Sequence, residues 1–237
     1  MIKLLLLQYI AHLMADFYFQ PQSWCDQKDN KYFSKVHCYH FLVVLVSSYL
    51  LSFSISFWWA ALIISVFHLL LDLLKSSLIL NNQLNCRVKK NLFFLDQLLH
   101  IIIISSIVIL YSKINETSFG TITIQILFFV FSILLCGKPY NIFIKKFMEA
   151  NSIMVSDDEK NNSLIKAGRI IGSLERVLSF ILVVFNQFAA VGFIFAAKSL
   201  LRFKDTETAK TEYLLIGSLL SFGMAIILGI VYLFIFI

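Results

Sequence analysis

Acid and imidazole recur in this chain at one spacing: His12 with Asp16, His68 with Asp72, and Asp96 with His100, each pair four residues apart. On a helix that spacing puts both side chains on one face, about one turn apart. His37 and His40 add two imidazoles three residues apart, which accounts for all five histidines. Imidazole and carboxylate together are the usual ligands of zinc, manganese or iron. A bound metal can lower the pKa of water to about 7 and generate a hydroxide for attack on an ester or phosphoester.

The elements that position these residues must be membrane helices. Of 237 residues, 59% are apolar and 14% charged, against roughly 25% charged in an ordinary soluble domain. Mean hydropathy is +0.83. A soluble fold of this size could not hide so much apolar surface, so lipid is the solvent for most of the chain. Disorder, a collagen and a disulfide-rich module are excluded. Cys25, Cys38, Cys86 and Cys136 are scattered with no CxxC pair, which argues against a thiolate zinc site. The formal charge of +6 fits basic loops held at anionic lipid. No basic stripe interleaved with aromatics points to nucleic acid. The N-terminal apolar run contains His12 and Asp16 and lacks a small-residue cleavage site, so it reads as a retained helix.

About eight segments reach spanning length: roughly 2–20, 37–54, 57–79, 91–111, 119–137, 168–186, 188–203 and 213–236. Every second loop is basic. Lys28, Lys31 and Lys35 lie in the first loop, Arg87, Lys89 and Lys90 in the third, and Lys138, Lys145, Lys146, Lys160 and Lys166 in the fifth. The loops between are nearly neutral. This asymmetry predicts both termini outside and the basic loops in the cytoplasm. In that orientation Asp16, Asp72 and Asp96 share one level, and His12, His68 and His100 lie about 6 Å further into the membrane. His37 and His40 open their helix near the aspartate level. Four helices are thus expected to build one site that opens to the cytoplasm.

The expected fold is all-α, a polytopic transmembrane helical bundle. A four-helix membrane domain (1–112) carries the cluster. A fifth span (113–137), a cytoplasmic linker (138–166) and a C-terminal membrane domain of two to three spans (167–237) follow. The candidate metal ligands are His12, Asp16, His37, His68, Asp72, Asp96 and His100, more than one tetrahedral zinc needs. One or two divalent ions, zinc or manganese, are expected. Asp16, Asp72, Asp96 and Lys75 are the candidates for catalytic roles, with Gln20, His40 and Gln97 behind them.

A second constellation lies toward the C-terminus: Arg169, Glu175, Arg176, Lys198 and Glu212, with Gly168 and Gly172 forming a GxxxG that permits close helix contact. Two readings stand there. One is a structural clamp that includes an ion pair of Glu175 with Lys198. The other is a phosphate or lipid headgroup site facing the first cluster.

At these residues the chain resembles a bacterial membrane-protein family of unknown function, number 3307. The likeness rests on HLMADFYFQPQSW (His12, Asp16, Gln20, Trp24), Lys28, a histidine opening the next helix, HLLLDLLK (His68, Asp72, Lys75) and FLDQLLH (Asp96, Gln97, His100). His37 rather than His40 aligns with that single histidine. The resemblance implies a membrane location and no particular activity. The expected function is metal-dependent hydrolysis of a phosphoester or lipid ester, reached from the cytoplasmic leaflet of the bacterial inner membrane. Membrane lipid is the expected partner, a second copy of the chain a further one, and nucleic acid is not expected. Two other classes use the same residue types. One is a proton- or ion-coupled transporter or channel. The other is a non-enzymatic membrane effector with a structural polar core.

Overall fold

The computed structural model describes residues 1–81, 86–115, 122–151, 162–202 and 208–236. All regular structure among them is helical. The chain divides into two units, Met1–Phe131 and Ser132–Ile237.

The first unit begins with α1 (Ile2–Leu13), which runs into a π-helical turn, Met14–Tyr18. The Phe19 N–H reaches back five residues to the Met14 carbonyl at 2.8 Å, a register seen mostly in single turns at functional sites. Pro21 then ends the helix, because it has no N–H to donate and pushes the preceding residue out of the helical region. The chain restarts as α2 (Gln22–Asp29), bent by 83° from the first helix. The single straight span expected over residues 2–20 is therefore a broken one.

Next come α3 (Lys35–Leu51), α4 (Trp58–Leu80, entered through a short 3-10 turn at Ile55–Phe57) and α5 (Cys86–Ile114). Helices α1, α3, α4 and α5 pack on one another in this unit. One end of the packing is apolar: Leu4, Val44, Phe57, Ala60, Ala61, Ile64, Ile104, Val108 and Tyr111 form a continuous core. Its polar atoms are paired. The Tyr111 hydroxyl lies 2.6 Å from Ser56 Oγ, while Gln8 and Ser48 exchange two hydrogen bonds. The His/Asp residues occupy the other end.

The outward faces are apolar. On α4 these are Leu62, Ile63, Val66, Phe67, Leu70 and Leu74, all exposed, as a helix facing acyl chains requires. Among the described residues, three helical segments are long and apolar enough to cross a membrane: Ile55–Leu80, Asn91–Ile114 and Leu215–Phe236. Two bent pairs raise the number to five, and Lys35–Leu51 and Phe188–Leu200 are shorter apolar helices. Length and composition thus support three to five crossings, fewer than the eight expected, because two segments are broken and others fall short of about 20 residues.

The second unit holds the end of α6 (Ile124–Cys136), then α7 (Lys138–Ala150), α8 (Asn162–Val184), α9 (Phe188–Arg202) and α10 (Thr208–Phe236). Helices α8 and α9 are joined by a tight turn. Asn186 takes φ 58, a conformation asparagine tolerates, and the Gln187 N–H closes on the Leu182 carbonyl at 2.8 Å.

The GxxxG does not mark the close helix contact. A Cβ on Gly168 would meet nothing within 4 Å, and one on Gly172 would meet only Arg176 of the same helix. The close approach is at Gly229 of α10, where a Cβ would sit 2.6 Å from Val183 Cγ1 and 2.7 Å from Val183 Cβ of α8. Gly229→Leu therefore forces the two helices apart. The expected loss is about 1–3 kcal/mol, read as earlier thermal unfolding in detergent, with Gly168→Leu unchanged.

Candidate metal centre

The first unit gathers the three acid–imidazole pairs into one buried cluster. Asp16 Oδ1 lies 3.2 Å from both His40 Nε2 and His68 Nε2, and those two nitrogens are 2.9 Å apart. Asp72 Oδ2 stands 3.8 Å from His40 Nε2 and 3.9 Å from His68 Nε2. The His68 and His100 rings are 4.0 Å apart at their centres, and the His12 ring is 5.3 Å from His100. Three overlapping groups bring their ligand atoms within 4.8 Å of one another: His12, Asp16 and His68; His40, His68 and Asp72; and Asp72, Asp96 and His100.

Hydrogen-bond partners fix several tautomers. His100 Nδ1 is 2.8 Å from the Asp96 carbonyl, which can only accept, so Nδ1 carries the proton. Nε2 then presents a lone pair, and it has no partner. His12 Nε2 donates to Gln97 Oε1 at 3.3 Å, which leaves the lone pair on His12 Nδ1, also without a partner and 3.7 Å from Asp16 Oδ1. The Gln97 amide in turn donates to Asp16 Oδ2 at 3.4 Å and Asp96 Oδ2 at 3.3 Å. Asp16 Oδ1, Asp96 Oδ1, His40 Nδ1 and His68 Nδ1 complete the buried atoms here that lack a hydrogen bond. Such atoms cost free energy unless something fills the gap.

The two histidines of α3 exchange the places assigned to them in the sequence. His40 enters the cluster and His37 does not. The Ser34 N–H donates to His37 Nδ1 at 3.1 Å, so Nδ1 is the acceptor and His37 Nε2–H donates to Ser76 Oγ at 3.2 Å. Both nitrogens are spent. The first bond is one limb of a capping box that starts α3. We expect His37→Ala to leave metal content unchanged and to cost about 1 kcal/mol through the lost cap, measured by metal analysis beside thermal unfolding.

Lys28 is the residue that sequence reasoning misplaced. Its position among the lysines of the first basic loop hides that it is buried, with Nζ 2.5 Å from Asp72 Oδ2. The fold-back of α2 delivers it. Gln20, in the amide orientation that pairs donor with acceptor, donates to the Asp16 carbonyl at 3.2 Å and accepts from Lys28 Nζ at 2.9 Å. Lys75 pairs with Asp96 Oδ2 at 3.0 Å. Two ammonium groups therefore face three carboxylates, and Asp16 is the carboxylate with imidazole and amide neighbours only.

The C-terminal constellation lies in the second unit. Arg176 is buried and donates from Nε to the Cys136 carbonyl at 2.8 Å, from Nη1 to Ser221 Oγ at 2.9 Å and from Nη2 to Asn141 Oδ1 at 2.6 Å. Cys136 ends α6, so the guanidinium satisfies a helix-terminal carbonyl where the chain bends into α7. Lys198 and Glu175 form the expected ion pair, with the ammonium also over the Phe222 ring. Arg169 is exposed. The Glu212 side chain lies outside the described residues.

A helical bundle with apolar outward faces and a buried imidazole–carboxylate cluster defines a membrane protein with a polar site inside it. Residues 4–148 match the family described as Protein of unknown function (DUF3307), and the chain belongs to that family. No curated protein and no solved structure matches it.

Proposed function

We propose that the protein is a metal-dependent membrane hydrolase whose cation sits among Asp16, His40 and His68. The observation that carries this reading is the triangle of Asp16 Oδ1 and the two Nε2 atoms, with sides of 2.9, 3.2 and 3.2 Å. Ligands about 2.0–2.1 Å from a tetrahedral zinc lie about 3.3–3.4 Å from one another. One shared proton cannot satisfy three such atoms, whereas one cation can. The unmatched charge of Asp16 supports the same reading, since burying a lone carboxylate is expensive. Asp72, facing both Nε2 atoms, is the fourth donor.

The ion would activate water and polarise an ester or phosphoester oxygen. The chain's own groups do the rest. His100 Nε2, with its lone pair open, takes the proton from the attacking water as general base. Its Nδ1–H bond to the Asp96 carbonyl holds the ring for that role. Lys75, the more exposed of the two ammonium groups, orients an anionic substrate. The apolar core from Leu4 to Tyr111 fills the other end of this unit, which favours a pocket with one mouth over a through-path for ions. Loop charge supports the bacterial inner membrane, eight crossings with both termini outside, and a mouth on the cytoplasmic side, where membrane lipid is the partner.

Elemental analysis of detergent-purified protein tests this. Wild type is expected to carry at least stoichiometric zinc or manganese, and Asp72→Ala to lose most of it along with phosphodiesterase or esterase activity. A folded, metal-free wild type that takes up neither ion on dialysis overturns the proposal.

A further inference from the structure

The cluster has more open donors than one cation can use. Asp72, Asp96 and His100 form a group of their own within 4.8 Å, and Asp72 also belongs to the group with His40 and His68. Asp96 Oδ1 and His100 Nε2 are both unpartnered, on residues 6% and 2% exposed. In the neutral ring His100 Nε2 is a lone pair, because the proton sits on Nδ1, where a backbone carbonyl accepts it. A carboxylate has two oxygens, so Asp72 can face two cations at once.

From these atoms we infer that the centre holds two divalent cations, with Asp72 bridging them and Asp96 and His100 completing the second position. This rests on the metal reading above and extends it to a two-ion site, a form in which both attacking and leaving oxygens of a displacement are stabilised. It also gives His100 a different role, as ligand in place of base. Lys75 holds the other oxygen of Asp96, Oδ2, and Lys28 holds Asp72 Oδ2, so both place a positive charge beside the carboxylates of the second position. The ammonium groups are its competitors. Lys75 is the more movable of the two, with its side chain 27% exposed against 7% for Lys28.

The test is a manganese titration of the full-length, chelator-stripped protein in detergent, followed by equilibrium dialysis and electron paramagnetic resonance. Wild type is expected to bind two Mn²⁺ per chain, with the broadened spectrum of a spin-coupled pair. His100→Ala should bind one and give the six-line spectrum of an isolated ion. Lys75→Met should tighten the second ion by about tenfold, because a competing charge is gone; a purely structural lysine would give no change or weaker binding. One ion in wild type, with His100→Ala the same, overturns the second site and leaves the first intact. No ion at all overturns the metal reading itself. Should His100→Ala not fold, the wild-type stoichiometry and Lys75→Met decide the question.

Discussion

A chain in which His68 and Asp72 are replaced by leucine and Lys28 by methionine should fold, bind no metal and hydrolyse nothing. The first two changes remove a donor of the central triangle and the carboxylate facing it. Loss of a catalytic ion removes several kcal/mol of transition-state stabilisation, so activity should fall at least about a thousandfold. The third change keeps the experiment interpretable. With Asp72 gone, Lys28 would be a buried ammonium without its carboxylate, whereas removing both partners of a buried pair and filling the space is often neutral. Circular dichroism and detergent size exclusion read the fold, elemental analysis the metal. A triple variant that keeps wild-type activity would show that the cluster serves packing alone.

Lys28→Met by itself should behave differently with and without metal. In the stripped protein it leaves Asp72 buried without its direct ammonium partner, and loss of one partner of a buried pair costs about 3–5 kcal/mol. A divalent cation takes over the role of the ammonium. At a free concentration a hundredfold above its dissociation constant, it restores about 2.7 kcal/mol through binding to the folded state alone. The unfolding temperature of the variant should therefore rise more steeply with added Mn²⁺ than that of wild type. Equal metal-free stability of the two proteins would mean that Lys28 does not compensate Asp72.

The parts of this site that were readable in the sequence are those set by helix periodicity. His12 with Asp16, His68 with Asp72, and Asp96 with His100 had to share helix faces, and the reversed order of the last pair fitted an antiparallel helix. What periodicity could not show was decided by breaks and caps. Pro21 turns the chain back, which carries Lys28 from a supposed loop into the cluster. The proline was visible, but the direction of the turn depends on α2 packing against α3 and α4. The exchange of His37 and His40 had a local signal, Ser34 three residues before His37, the spacing of a capping box. The contacts that Arg176 makes with Cys136, Asn141 and Ser221 had none, since those acceptors are 40, 35 and 45 residues away. The number of crossings was not readable from hydropathy alone, since several apolar helices lie near or below spanning length; length and composition of the described residues support three to five.

Asp16 draws its neighbours from distant parts of the chain: His40, His68 and Gln97. During synthesis the aspartate leaves the ribosome long before any of them. Until residue 97 emerges, the first hydrophobic segment carries a carboxylate whose set of partners is incomplete, with His12 alone on its own helix, and lipid is a poor host for it. The early helices must then wait at the insertion machinery, or at the water interface, and enter the bilayer as a group. Nascent chains truncated between residues 60 and 90 should consequently be extractable by alkaline carbonate and short-lived in cells, while chains ending after residue 115 should resist both extraction and proteolysis.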